Sequence, residues 1–157
     1  MVSSTALDLT ADFTIDFWAR WNSVAGNQEI LCFNQNASFM CAQRLSLASG
    51  VLKFLSSANG TSQNISDTVV HSPSTGVWYH YSVNRSGNTY WISVNGAQVA
   101  TFTNSGLPIT TSAADLIGAI DNSGPVNSFN GWIEEFRVTK GVARWTANFT
   151  PPARPYT

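Results

Sequence analysis

Residues 130–152, NGWIEEFRVTKGVARWTANFTPP, begin as an alternating strand and end in a glycine-containing turn and a proline stop. Strand side chains alternate at period two, so Trp132, Glu134, Phe136 and Val138 are expected on one face and Ile133, Glu135 and Arg137 on the other. Both sets contain apolar residues, which predicts a strand lying inside a sandwich with charges near its ends. Residues 139–149 carry no sustained helical stripe, and Pro151, Pro152 and Pro155 bar a long regular element after them. A closing loop or single turn is expected there, and the upstream chain must supply the strand's partners.

Working outward, the first such partner is FTIDFWARW, residues 13–21. Phe13, Ile15, Phe17, Ala19 and Trp21 share one face and Thr14, Asp16, Trp18 and Arg20 the other, the alternation of a half-buried antiparallel strand. Shorter apolar stretches follow at 29–33 and 39–47, and Gly50 closes a hairpin into 51–55. Residues 56–67, SSANGTSQNISD, have no core period and are expected to be solvent-facing loop. Residues 76–101 read as a meander: Tyr79, Tyr81 and Val83 line one strand face, and Tyr90, Ile92 and Val94 line the next. Asn95-Gly96 then signals a type I′ hairpin, because both central positions need positive φ. LIGAI at 116–120 adds a short strand before the loop at 121–130. Many short strands separated by turns, with no internal repeat and no helix beyond a turn, imply a two-sheet all-β sandwich.

The 157 residues suffice for one domain, 1–157, with a sizeable core. Hydrophobic residues make up 43% and charged residues only 11%, with 9 Phe, 6 Trp and 4 Tyr, which suits a β-rich body with polar, mostly uncharged loops. The formal net charge of −1 and the absence of a Lys/Arg run disfavour nucleic acid as a partner. No apolar run approaches a membrane span, so no membrane insertion is expected. MVSSTALDLT lacks the basic and apolar regions of an export signal, provided Met1 is the native start. The N-x-[ST] triplets at Asn59 and Asn64 are then chance. Cys32 and Cys41, nine positions apart, either staple a loop or sit reduced as small buried hydrophobes.

FTIDFWARW, GVWYHYSVNRSGNTYWISVNGAQVA and IGAIDNSGPVNSFNGWIEEFRVTKGVARWTANFTPP together resemble the laminin-G-like branch of the concanavalin A-like lectin/glucanase superfamily over nearly the whole chain. The resemblance implies a jelly-roll sandwich of two antiparallel sheets with loops at its rim. The closing stretch is similar to versions found in phage tail or virion proteins and in bacterial surface proteins. Members usually carry a further strand before the FTIDFW-like one, whereas only twelve residues precede Phe13 here. The chain is therefore expected to lack the usual first strand, either by trimming or by leaving an edge for another chain to pair.

The chemistry follows from side chains. Glycoside cleavage needs an acid and a nucleophile or base flanking one bond, and neither Asp12/Asp16 nor Glu134/Glu135 reproduces the superfamily's E-x-D-x-E arrangement. Asp16 and Glu135 are expected to pair with Arg20 or Arg137 at the sheet surface. His80, within a strand, and His71 read as structural, and no nucleophile elbow exists. Many relatives hold calcium at the rim, and Asp121, Asn122, Asn127 and Asn130 could supply oxygen ligands to such an ion, although Asx-turns explain them equally well. For sugars, which offer apolar C–H faces ringed by hydroxyls, the candidate aromatic plates are Trp18, Trp91 and Trp132. Candidate polar groups are Asn34, Gln35, Asn36, Asn59, Asn64, Asn122 and Asn127. For any one Trp, packing under a loop is the competing explanation.

Two functions are compatible with these features. One is a non-catalytic virion surface protein, decoration or tail fibre, that attaches to a cell-surface glycan or host surface. The other is a purely structural capsid or tail subunit whose partner is a virion protein, with a secreted bacterial carbohydrate-binding module as a further alternative. Either way the chain is expected in an oligomer or larger assembly at the virion surface.

Overall fold

The computed structural model describes residues 7–36, 38, 40–108, 114–121 and 124–153, with residues 66–70 and 114 as backbone only. The first half of the chain forms β1 (Phe13–Trp21), β2 (Asn27–Gln35), β3 (Gln43–Ala48), β4 (Val51–Ser56), β5 (Ile65–His71) and β6 (Trp78–Ser86). The second half adds β7 (Thr89–Val94), β8 (Ala97–Thr103), β9 (Ala114–Ile117), β10 (Ile120–Asp121), β11 (Pro125–Val126) and β12 (Gly131–Lys140). One five-stranded sheet has the order β12–β1–β6–β7–β8, a second the order β5–β4–β3–β2–β9, and β10–β11 is a separate small ribbon. Neighbouring strands in each are antiparallel. The expected all-β sandwich is the architecture observed.

The core lies between the two sheets and follows the alternation of β1. Phe13, Ile15, Phe17, Ala19 and Trp21 are fully buried, together with Tyr81, Val83 and Tyr90 from their own sheet and Leu31, Phe33, Leu45, Leu47 and Phe54 from the other. Removing each such side chain from water contributes about 1.5–3 kcal/mol. Phe17 is stacked between Tyr81, 5.7 Å away, and Phe136, 5.4 Å away. Asn95 and Gly96 both have positive φ, 50° and 78°, as the hairpin between β7 and β8 requires.

β12 departs from simple alternation. Its pairing with β1 runs Asp16↔Arg137 and then Trp18↔Glu134, so Phe17 faces two residues, Glu135 and Phe136. Glu135 is the extra residue and adopts φ 53°. A bulge of this kind inverts the phase of the strand. Ile133, Phe136 and Val138 consequently all pack against the core, while Trp132 and Glu134 point outward. The expectation that Trp132 and Phe136 share a face is corrected by this one residue. Among the described residues β12 ends its sheet.

Other differences have similar local causes. The loop expected over 56–67 gives way to β5 at Ile65, where the chain pairs with β4 through an irregular register. LIGAI is divided between β9 and β10 at Gly118, whose φ is 81°. Cys32 and Cys41 form a disulfide, with Cα atoms 5.5 Å apart, and cluster with Ile120 apart from the main core. The absent first strand concerns residues ahead of β1, of which 1–6 lie outside the described residues. Leu9 is buried in the core and Leu7 packs against it.

Candidate functional site

The outer face of the β1 sheet is organised in cross-strand rows. Arg20 of β1 pairs with Trp132 of β12 on one side and Trp78 of β6 on the other. The next row is Glu134, Trp18 and His80, the one after it Arg137, Asp16 and Ser82, and the last Thr139, Thr14 and Asn84.

The chain after β12 crosses back over this face. Backbone N–H groups of Arg144 and Trp145 donate to Thr14 Oγ1 (2.8 Å) and Asn84 Oδ1 (3.2 Å), and Phe149 N–H donates to Gly96 O at 2.9 Å. A Cβ at Gly96 would lie 1.8 Å from the Phe149 carbonyl oxygen, so the crossing depends on glycine there. The Trp145 and Phe149 rings stack at 4.0 Å and both meet His80 edge-on, while Trp18 closes it from a third side. Asp16, fully buried beside His80, accepts two hydrogen bonds from Arg137, at 3.0 and 2.8 Å, and lies 3.4 Å from His80 Nε2. The expected pairing of Asp16 with Arg137 therefore occurs, but in the interior rather than at the surface, because this face is covered. A buried carboxylate with such partners is a structural device, costly to break.

The Trp132–Arg20–Trp78 row is different. Trp132 is 47% exposed, and Arg20 and Trp78 are half-buried. The Arg20 guanidinium carbon sits 4.9 Å from the centroid of the Trp132 ring, a cation–π contact. Its Nε donates to Gly76 O at 2.9 Å, which fixes the plane of the group. Gly131 admits the close approach behind this row, since a Cβ there would lie 2.1 Å from the Arg20 carbonyl oxygen and 2.9 Å from the Phe129 ring. Two strand spacings separate Trp132 from Trp78, about 10 Å. Such a row offers two indole surfaces with a cation between them.

Of the aromatic residues singled out from sequence, Trp18 and Trp132 lie in adjacent rows. Trp91 lies on the same face, on β7 in the row of Thr14 and Asn84, two rows from Trp18. The amide candidates do not join them. Asn36 Nδ2 donates to Gly60 O, and its Oδ1 accepts from Ser38 and Met40 N–H. Asn59 Oδ1 accepts from Thr61 and Ser62 N–H, and Asn64 Oδ1 accepts from Ala58 N–H. Asn34, at φ 51°, donates its N–H to the Asp115 carboxylate at 2.9 Å. Burial pushes the Asp115 carboxyl above its usual value, with Asn34 opposing the shift and Asp8 reinforcing it. These asparagines shape the loops that follow β2 and β4, at the far end of those strands from the β1–β2 turn. Gln35 is similarly engaged with Asp121, donating to its carbonyl and accepting from its N–H.

The calcium candidates are engaged in the same manner. Asp121 Oδ1 caps Gly124 N–H at 2.9 Å, Asn127 O accepts from Glu29 N–H at 2.8 Å, and Asn130 O accepts from Asn22 N–H at 2.9 Å. Asn122 lies outside the described residues. No group of three or more His, Cys, Asp or Glu suited to a metal occurs among the described residues. Asp121, Asn127 and Asn130 each place one oxygen in these turns, and Asp121 is the one carboxylate among them. Two further carboxylates have structural work: Glu29 is buried against Arg44, and Asp12 accepts from Ser86 Oγ and Gly87 N–H, both at 2.8 Å.

Trp78 and Arg20 are the members of the row that the sequence reading did not pick out. Trp78 has the parity of His80, opposite to the core residues Tyr79 and Tyr81, and that signal would have placed it outside.

Comparison with known proteins agrees with this architecture. The laminin G family model of the concanavalin A-like lectin/glucanases superfamily matches residues 1–145. Among solved structures, the CBM40 of the Ruminococcus gnavus IT-sialidase, bound to α2,3-sialyllactose, superposes with a TM-score of 0.65 at 14% identity, covering 85% of this chain and 78% of that one. Domains LG4-5 of the mouse laminin α1 chain give 0.63 at 16% identity, covering 87% of this chain and 38% of that one. The heptameric SAP-like pentraxin from Limulus polyphemus gives 0.59 at 18% identity, covering 90% and 66%. The chain thus spans under two thirds of the laminin and pentraxin chains. No curated protein matches in sequence.

Proposed function

The chain belongs to the laminin-G-like branch of the concanavalin A-like lectin/glucanases superfamily, and we propose from that premise that it is a non-catalytic glycan-binding domain. Its binding surface is the Trp132–Arg20–Trp78 row. The observation that carries this reading is Trp132: a large aromatic, 47% exposed, held on a rigid sheet. Indole rings present flat apolar surface to the C–H face of a sugar, and a strand positions them without loop rearrangement. Superfamily neighbours include a sialidase's carbohydrate-binding module. Asp16 and Glu29, buried in ion pairs, and Asp12, which caps a turn, are engaged structurally, and this supports a binding role.

The setting we propose is the surface of a virion, as decoration or tail-fibre protein, with a secreted bacterial carbohydrate-binding module as the alternative. The Cys32–Cys41 disulfide supports an exterior location in both cases. A structural assembly role is the competing function, and the feature favouring it is β8. Among the described residues that strand ends its sheet, with Ala97, Gln98 and Val99 exposed.

A glycan array probed with the wild-type protein and with Trp132→Ala, in calcium and again in chelator, tests the proposal. Selective binding lost in the variant is the expected result. Loss in chelator would redirect attention to residues 121–130. Absence of binding by folded protein, with self-association in sedimentation, would replace the glycan reading by assembly through an edge such as β8.

A further inference from the structure

Among the described arginines of this charge-poor chain, Arg20 is the one held against an exposed indole; Arg85 is buried against Tyr90, and Arg144 bonds the Thr139 hydroxyl. Arg137 is bonded twice to Asp16, and Arg44 is bonded to Glu29. Arg20 has the face of Trp132 and the carbonyl of Gly76, and among the described residues no carboxylate lies within ion-pair reach of it. Its row is half open to solvent, and the nearest acid on the same face, Glu134, belongs to the next row, opposite Trp18. A guanidinium with Nε already bonded and its plane held against an indole retains the terminal N–H groups at its free end. Those donate in parallel, in the plane, and match the two oxygens of a carboxylate better than a point charge does.

We propose that Arg20 makes this surface selective for sugars bearing a carboxylate, the anionic group docking end-on at the guanidinium while the sugar ring packs on Trp132. This deepens the glycan reading above and rests on it. Neither neighbour of Arg20 in the row supplies a counter-charge, so an anionic ligand would gain the interaction without first displacing one. Because the fork is preorganised by Gly76 and Trp132, little side-chain freedom is lost on binding.

Calorimetric titration with two carboxylated probes, 3′-sialyllactose and tetragalacturonic acid, each beside its methyl ester, tests the proposal. At least one acid is expected to bind ten-fold or more tightly than its ester. Arg20→Gln should abolish that difference by bringing affinity for the acid down to that for the ester, and Trp132→Ala should weaken acid and ester alike. Since the acid–ester contrast is read on wild-type protein, a poorly folding variant does not remove the test. Equal affinity for acid and ester, or a sulfated oligosaccharide bound as tightly as the acids, would overturn the carboxylate assignment. If neutral glycans on the array bind through Trp132 in that case, the glycan reading survives without it. If nothing binds on either assay, both fall.

Discussion

Trp132 and His71 show how much a single side chain can be asked to do in this fold. Trp132→Ala should abolish selective binding yet alter stability by no more than about 1 kcal/mol, because the ring is half exposed and lies outside the core. His71 acts on stability instead. Its Nδ1 lies 2.9 Å from the Tyr81 hydroxyl and its ring meets Tyr79 at 4.6 Å. Burial pushes the Tyr81 phenol far above its ordinary value, so that hydroxyl stays protonated and can donate to a neutral imidazole. Burial also lowers the His71 pKa from its ordinary 6.5. The unfolded chain therefore takes up this proton first as the pH falls. The contribution of neutral His71 is complete above pH 6.5 and is lost progressively below it, as the pH drops through the folded value. Thermal unfolding followed from pH 8 downward should show a decline beginning near 6.5 that His71→Gln removes. A wild-type midpoint that stays flat through this range would refute the assignment. A second, acidic decline belongs to Asp12, whose carboxyl is held below 3.8 chiefly by the Gly87 N–H and then by the Ser86 hydroxyl.

At the level of elements, β1 and β12 are instructive because the same alternation rule succeeds on one and fails on the other. Every odd residue from Phe13 to Trp21 is fully buried, as the pattern predicts, since β1 pairs on both sides and has no irregularity in its register with β6. In β12 the two glutamates look interchangeable in sequence, and nothing in WIEEFRV distinguishes a bulged Glu135 from a paired one. Only the pairing partner reveals the extra residue, and with it the outward side of Trp132. The face of Trp78, by contrast, was legible, because β6 keeps strict parity. β5 was missed for a different reason: polar Ser, Asn and Gln precede it, and its register to β4 shifts twice, so no clean period survives. The bulge makes a sharp prediction. Deleting Glu135 would leave Ile133, Phe136 and Val138 at alternating positions, all facing the core in regular register with β1. The deletion should therefore be tolerated, with a change of no more than about 1 kcal/mol by denaturant unfolding. Glu135→Gly should likewise be neutral or stabilising, because glycine accepts the φ of 53° without strain. A deletion variant destabilised by several kcal/mol would show that Glu135 is not the extra residue that sets the phase of β12.

Across the whole molecule, the residues chosen from sequence as one candidate site separate by sheet and by end. Asn34, Asn36, Asn59 and Asn64 lie at the far ends of β2 and β4, whereas Trp132 and Trp78 lie on the outer face of the other sheet, where β1 ends and β12 begins. Sequence composition could announce both populations but could not place them, since distance between loops is set by the sandwich and not by chain separation. The disulfide belongs to the asparagine end, joining β2 to the segment before β3 and packing with Ile120, well removed from the Trp132 row. Stability and binding should therefore be separable. Closing a loop of about ten residues restricts the unfolded chain by about 2–3 kcal/mol on the chain-entropy account. The paired variant Cys32→Ser, Cys41→Ser should unfold at correspondingly lower denaturant concentration, and reduction of the wild type should reproduce the shift. Glycan affinity measured well below that transition should be unchanged, because neither cysteine touches the β1 sheet's outer face. Equal stability of oxidised and reduced protein would show that the link adds nothing to the fold. A loss of affinity in the folded double variant would mean that the binding surface extends to the disulfide end, and would move the site away from Trp132.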